Sequence, residues 1–312
     1  MRTFFILLLA SILFAQSEEA PTFSTGTSQV RLDVQVVEKK AIVTGLTKDD
    51  FIVYDEGSPQ EVLYFGRESE PLLLLVLLDV SGSMKKHIDL MATKAQQALR
   101  YLRVGDRVGI MIFSRDTKVH QPFTGDLVEA ARQIRTAAWD EELGSGTSIN
   151  AAVIDAAVYI ESYVATRGHA QHREERRAIL IVTDNLGLNY QLPDRKVLSK
   201  LYGTDTVLNA LVVGRGNRPL PPPPGRYTNP DFSPADVFLL ADKSGGEAVK
   251  AERADATFPE MVERIRTRYS LHYRAPGARP GEFRRVRVEL TPAARKRFPD
   301  AELRYRSGYE AN

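Results

Sequence analysis

No cysteine occurs among the 312 residues, which excludes disulfides, thiolate-ligated zinc, iron–sulfur clusters, a thiol nucleophile and any lipid attached through sulfur. Any metal must therefore be held by oxygen or imidazole. An excess of one charge sign is also missing: 42 Lys and Arg stand against 40 Asp and Glu, a formal +2. No chain-wide basic surface for nucleic acid follows from that balance. Long apolar runs are lacking near the start, where Phe4 to Phe14 covers eleven residues and about twenty are needed to span a membrane. What is present is ordinary for a folded protein. Hydrophobic residues make up 43%, too many for a disordered chain, and the length suggests roughly two domains of ~150 residues.

The apolar start reads as an export signal. Arg2 precedes it, the small residues of Ala15-Gln16-Ser17 follow, and the acidic pair Glu18-Glu19 comes next, the order of a cleavable signal peptide. Removal of residues 1–17 is expected to leave no stable membrane span and a protein that is secreted, periplasmic or in the cell envelope.

Three regimes of patterning follow. Residues 25–70 alternate with period two, as in Val30, Leu32, Val34 and Val36, with turns at Gly45, at Asp55 to Pro59 and at Gly66, which predicts antiparallel β-structure. Residues 71–268 change to short solid apolar runs separated by helix-period stretches. Leu72 to Leu78 is one such run, and Ile88, Met91, Ala92, Ala95, Ala98, Leu99 and Leu102 share a helical face. Alternating strands and helices predict a mostly parallel, doubly wound α/β sheet. Residues 269–312 return to period two, so the two ends are expected to build one small antiparallel β-sandwich into which the sheet domain is inserted. Open sheets of this class take ligands beyond the carboxyl ends of their strands, which directs attention to the loops after Leu78, Phe113 and Thr183.

The first of those loops reads Asp79-Val80-Ser81-Gly82-Ser83-Met84. A carboxylate and two hydroxyls on alternate residues can converge on one point if the loop turns sharply, which Gly82 permits. Such hard oxygen donors suit Mg²⁺, Mn²⁺ or Ca²⁺. Either serine could instead cap the following helix.

Here the chain resembles the von Willebrand factor A family, whose metal-ion-dependent adhesion site has the form Asp-x-Ser-x-Ser with a distant Thr and a distant Asp. Asp79, Ser81 and Ser83 match the first part. Thr147, in Gly144-Ser145-Gly146-Thr147-Ser148, matches the second, and Asp184, after Ala178 to Thr183, matches the third. The resemblance implies that Ser81, Ser83 and Thr147 reach a cation through hydroxyls, and that Asp79 and Asp184 contribute directly or through water. Asn185 departs from the pattern, standing where Gly commonly follows the last Asp. Taken singly, Thr147 could only cap the helix at Ile149, and Asp184 could only cap a turn. The flanks, Val43 to Gly57 with Pro59-Gln60 and Tyr269 to Tyr309, are similar to a related group of exported bacterial proteins known especially from acidobacteria.

Other features carry weaker expectations. Residues 261–312 hold thirteen Lys and Arg against six Asp and Glu, read either as an anion-binding patch or as a solvated strand face with Arg285 and Arg287 outward. His169 and His172 lie in a charged loop that reads as a linker. Trp139-Asp140-Glu141-Glu142 is either a recognition rim or packing against the sheet, and Pro221 to Pro224 reads as an exposed semi-stiff loop.

Two carboxylates and several neutral hydroxyls leave a cation's shell incomplete, so an acidic residue of a protein partner can close it. The expected function is an exported, divalent-cation-dependent protein-binding or adhesion module with no catalytic residue. The alternatives are a structural envelope module with a vestigial metal site, and a metal-dependent phosphohydrolase. The latter usually needs a second acid where Ser81 stands. No Gly-x-Ser-x-Gly elbow and no Gly-x-Gly-x-x-Gly follows Leu78, which disfavours serine hydrolases and dinucleotide enzymes.

Overall fold

The structure is a computed structural model and describes residues 29–311 except 68–69, 138, 140–142, 144–145, 168–174, 221–228, 230, 276 and 278. The expected signal segment of residues 1–17, Asp140 to Glu142, Gly144-Ser145, His169, His172 and Pro221 to Pro224 lie outside the described residues.

The run Leu72 to Leu78 is solidly apolar because it is covered on both sides. It forms β1 (Leu72–Asp79), buried at every position. Leu74, Val76 and Leu78 face one helix layer, and Leu73, Leu75 and Leu77 face the other. The sheet continues with β2 (Arg107–Phe113), β3 (Thr117–Thr124), β4 (Arg176–Thr183), β5 (Thr206–Val213) and β6 (Ala248–Ala251), in the order β6-β5-β4-β1-β2-β3. All pairings are parallel except that of the edge strand β3 with β2. On the first face lie α1 (Lys85–Leu99), α2 (Leu127–Ala137) and α6 (Ala254–Arg266). On the second lie α3 (Ile149–Thr166), α4 (Asp194–Gly203) and α5 (Val237–Ser244). From β1 the chain first builds outward through β2 and then returns to build through β4. The carboxyl end of β1 is thus the switch point of the sheet.

The alternating ends form two antiparallel sheets. One runs Glu302–Arg304, Gln29–Glu38, Tyr269–Arg274, Tyr64–Arg67, and the other runs Gly308–Glu310, Phe283–Leu290, Phe51–Asp55, Ser58–Gln60. Their inner faces share one apolar core that includes Leu32, Val34, Val53, Leu271, Tyr273 and Val288. The doubly wound domain is therefore inserted into a sandwich made by both ends of the chain, as the patterning predicts. α6 carries Pro259 inside it.

The basic tail is neither a patch nor wholly a solvated face. Arg285 and Arg287 do point outward, but Arg266, Arg268, Arg284 and Arg306 are buried. Most of these line a charged seam between sandwich and sheet domain. Arg31 donates to Asp205 at 2.7 Å and to the Glu175 carbonyl at 2.6 Å, and Arg306 pairs with Asp205 at 2.9 Å. Arg176 donates to the carbonyls of Ile265 and Arg266, and Glu247 accepts from both Arg264 and Arg304. Burial brings the Arg268 guanidinium down to about 10, with Arg176 adding to the effect against the pull of Asp33 and Glu247. Burial alone would raise the Asp33 carboxyl; Arg31, Arg176 and Arg268 reverse it and hold the group below the usual range.

Candidate metal-ion site

β1 delivers Asp79 to the switch point with its side chain fully buried. The strand is prolonged by one bond, from Val80 N–H to the Phe113 carbonyl at 2.8 Å, after which the loop turns back on itself. Asp79 Oδ1 accepts from the Ser81 N–H at 3.0 Å, and Oδ2 accepts the Thr183 hydroxyl at 2.7 Å. Burial lifts the Asp79 carboxyl to about 6; the bonds from Ser81 and Thr183 oppose that rise, and the nearby Asp184 adds to it.

Ser81 and Ser83 do not cap α1. Its N-cap is Met84, without a side-chain cap bond. Instead Ser83 donates its hydroxyl to Asp184 Oδ2 at 2.8 Å and stands 3.4 Å from the Ser81 hydroxyl. Asp184 also caps a turn, since its Oδ1 accepts the Leu186 N–H at 3.2 Å. Four of the residues singled out by the sequence, Asp79, Ser81, Ser83 and Asp184, are thus linked through hydrogen bonds into one group.

Thr147 comes to the same rim through its backbone. Ser148 N–H donates to the Ser114 carbonyl at the end of β2 at 2.9 Å. The Thr147 carbonyl lies so close to Gly187 that a Cβ there would approach within 2.6 Å. Among the described residues no hydrogen bond joins the Thr147 hydroxyl to the other four. Ser148, not Thr147, is the N-cap of α3, and it makes no side-chain cap bond.

Several residues that complete the site escaped the sequence reading. Thr183 bridges Asp79 and the Asn185 N–H, which donates to its hydroxyl at 3.1 Å. Its place one residue before Asp184, at the end of the strand beside β1, was the available signal. Ser114 holds the Thr147 segment from below, donating its hydroxyl to the Leu143 carbonyl at 2.7 Å. Asn185 adopts φ +54°, the left-handed region that Gly fills easily and Asn tolerates best among other residues. Its amide then pins the loop, donating to the Asn217 carbonyl at 3.0 Å and accepting from Val237 N–H at 3.3 Å. Gly216 packs directly on Asp184, where a Cβ would fall 1.5 Å from the carbonyl oxygen. His87, buried in the first turn of α1, is held below the ordinary imidazole range by burial and by Lys86, against the pull of Asp184.

The donor chemistry is that of a hard cation: carboxylate and hydroxyl oxygens, with no sulfur. Among the described residues no group of three or more His, Asp or Glu is placed to hold a metal ion; the carboxylates of the hydrogen-bonded group are the two of Asp79 and Asp184. Residues 74–187, a span holding all five of these residues, match the von Willebrand factor type A domain. The chain carries a von Willebrand factor type A domain. Domains of this family often hold a metal and mediate protein interactions. No curated protein matches the chain significantly. Solved structures similar to it include an aerotolerance-related membrane protein from Bacteroides fragilis, at 18% identity and TM-score 0.46 over 62% of this chain and 98% of that one. Another is proximal thread matrix protein 1 from the mussel byssus with a zinc-occupied MIDAS motif, at 14% identity and TM-score 0.45, covering 64% and 48% of the two chains. A third is a von Willebrand factor type A protein from Catenulispora acidiphila, at 10% identity and TM-score 0.45, covering 90% and 73%. Trp139 is 69% exposed, open to solvent rather than buried against the sheet. No described helix is long and apolar enough to cross a membrane.

Proposed function

We propose that this protein is an exported, divalent-cation-dependent binding module that captures a protein partner through an acidic residue of that partner. The reading rests on one observation above all. Asp79, Ser81, Ser83 and Asp184 form a hydrogen-bonded group at the switch point of an A-domain sheet. Such a group holds two carboxylates, and burial penalises the charge of Asp79. Asp79 and Asp184 would hold Mg²⁺, Mn²⁺ or Ca²⁺ together with the hydroxyls of Ser81, Ser83 and Thr147. A bound cation supplies a positive centre with an incomplete oxygen shell, which a carboxylate from outside can fill.

The chain's own residues prepare that event. Thr183 and the Ser81 N–H fix the Asp79 carboxylate, Gly216 and Asn185 fix the Asp184 backbone, and the loop brings the two serine hydroxyls within 3.4 Å of each other. In this reading the serine hydroxyls and the carboxylates serve as cation ligands, and the site binds rather than cleaves. Export is supported by the signal-like residues 1–17 and by flanks similar to those of exported bacterial proteins. Thermal melts in Mg²⁺ or Mn²⁺ and in chelator test the reading. A cation-dependent rise that Asp79→Ala removes supports it, and identical melts would leave only a structural envelope module. Steady turnover of a generic phosphate ester would instead indicate the hydrolase.

A further inference from the structure

The loop that leaves the site does not turn polar. From Asp184 the chain runs Asn185-Leu186-Gly187-Leu188-Asn189-Tyr190, in which Leu186, Leu188 and Tyr190 are 63%, 61% and 59% exposed while Gly187 and Asn189 are buried. The short strand Leu188–Tyr190 pairs antiparallel with Phe232–Pro234, placing Leu188 opposite Pro234 and Tyr190 opposite Phe232. Directly opposite residues share a face, and the Tyr190 and Phe232 rings stand 5.1 Å apart. The outward positions of this ribbon, where a strict alternation normally places polar residues, are all apolar. Inward, Asn189 accepts the Asn150 N–H at 3.0 Å and so fastens the ribbon to the start of α3. The stripe therefore begins two residues from Asp184 and is held rigidly beside Thr147.

Resting on the cation reading above, we infer that this stripe is the second half of the same binding surface. It selects an extended protein segment whose carboxylate is followed or preceded by large apolar side chains at alternate positions. The spacing fits, because Leu186, Leu188 and Tyr190 recur every two residues along an extended backbone, roughly 6.6 Å apart, the repeat of a strand lying alongside. The size fits a segment better than a second copy of this chain. Half-exposed side chains at five positions offer on the order of 400 Å², about half of the ~800 Å² that each partner of a stable complex buries. A segment that also places a carboxylate on the cation has the charged anchor that the stripe lacks.

The test uses the full chain and two nonapeptides, each with a central Asp. One carries Leu at the two alternate positions on each side, and the other carries Ser there. In Mg²⁺ the Leu peptide is expected to bind at least tenfold more tightly by calorimetry, and chelator is expected to abolish its binding. The double variant Leu188→Ser/Tyr190→Ser should level the two peptides while keeping the Mg²⁺-dependent rise in melting temperature, which separates this inference from the cation reading itself. Equal affinities in the unaltered protein, or a Leu preference that survives the double variant, overturn it. So does failure to bind the Leu peptide in protein that does respond to Mg²⁺. A Leu preference indifferent to chelator would detach the stripe from the metal site, and cation-driven dimers abolished by the double variant would make the occupant a second copy; either result also overturns the inference.

Discussion

Thr183 donates its hydroxyl to Asp79 Oδ2 across 2.7 Å, joining the last residues of two neighbouring parallel strands. The bond fixes the orientation of a fully buried carboxylate whose other oxygen accepts the Ser81 N–H. Groups that orient a metal ligand in this way typically contribute 10–100-fold in metal affinity. Thr183→Val, which keeps the shape and removes the hydroxyl, is expected to weaken Mg²⁺ or Mn²⁺ binding by about that factor, measured by calorimetry. The fold should remain intact by circular dichroism.

Cation binding to the native state stabilises it by about 2.7 kcal/mol at a concentration 100 times the dissociation constant. For a chain of this size that corresponds to a rise in melting temperature of roughly 4 °C. The rise should grow with the logarithm of cation concentration, vanish in chelator and be absent in Asp79→Asn. A melting temperature of Asp79→Asn that still climbs with Mg²⁺ would place the cation elsewhere.

Gly216 is required by the main chain of Asp184, since a Cβ would lie 1.5 Å from its carbonyl oxygen. Gly216→Ala must displace one loop or the other. The expected result is a loss of about 2 kcal/mol or more, in the range of backbone strain at a fixed site, together with loss of the cation-dependent melting shift. Urea denaturation gives the first quantity and paired melts give the second.

Burial alone would raise the Glu247 carboxyl; the hydrogen bonds and charge of Arg264, with Arg304 and Arg268, bring it below its ordinary value. A carboxyl lowered in the folded state adds stability above its unfolded pKa, near 4.3, and that contribution is lost as the pH falls through the folded value. Glu247→Gln is expected to cost about 2 kcal/mol at neutral pH, because it leaves the half-buried guanidinium groups of Arg264 and Arg304 uncompensated. The gap between variant and unaltered protein should close as the medium is acidified below pH ~4. Urea titrations across pH 3–7 measure it, and a constant gap would remove the ion pair from the seam's energetics.

The sheet domain is readable in the sequence wherever one local pattern carries the whole message. Leu72 to Leu78 can only be a strand covered on both faces, and the face of α1 is set by spacing alone. The edge strand β3 gives no such signal: Thr117 to Thr124 is mixed in polarity, contains Pro122, and pairs on one side only. The ribbon Leu188–Tyr190 with Phe232–Pro234 is equally silent, because its strands are three residues long and its partners lie far apart in the chain. The site shows the same division. Asp79, Ser81 and Ser83 are contiguous and could be read together. Thr183 and Ser114 act through bonds to residues distant in sequence, and their types are too common to draw notice. Buried arginines in the tail read as surface charge because the acids that hold them, Asp205 for Arg306 and Glu247 for Arg304, lie 101 and 57 positions away.

Gln29–Glu38 lies between Tyr269–Arg274 and Glu302–Arg304 in one sheet, and Phe51–Asp55 pairs with Phe283–Leu290 in the other. During synthesis the strands of residues 29–55 must therefore wait, with their apolar faces unmatched, until residues 269–304 have been made. The inserted α/β unit can close on itself first, since all its strands are delivered by residue 251. A chain interrupted before residue 269 would thus carry a folded middle with a sticky, unpaired leader, a species prone to pairing with its own kind.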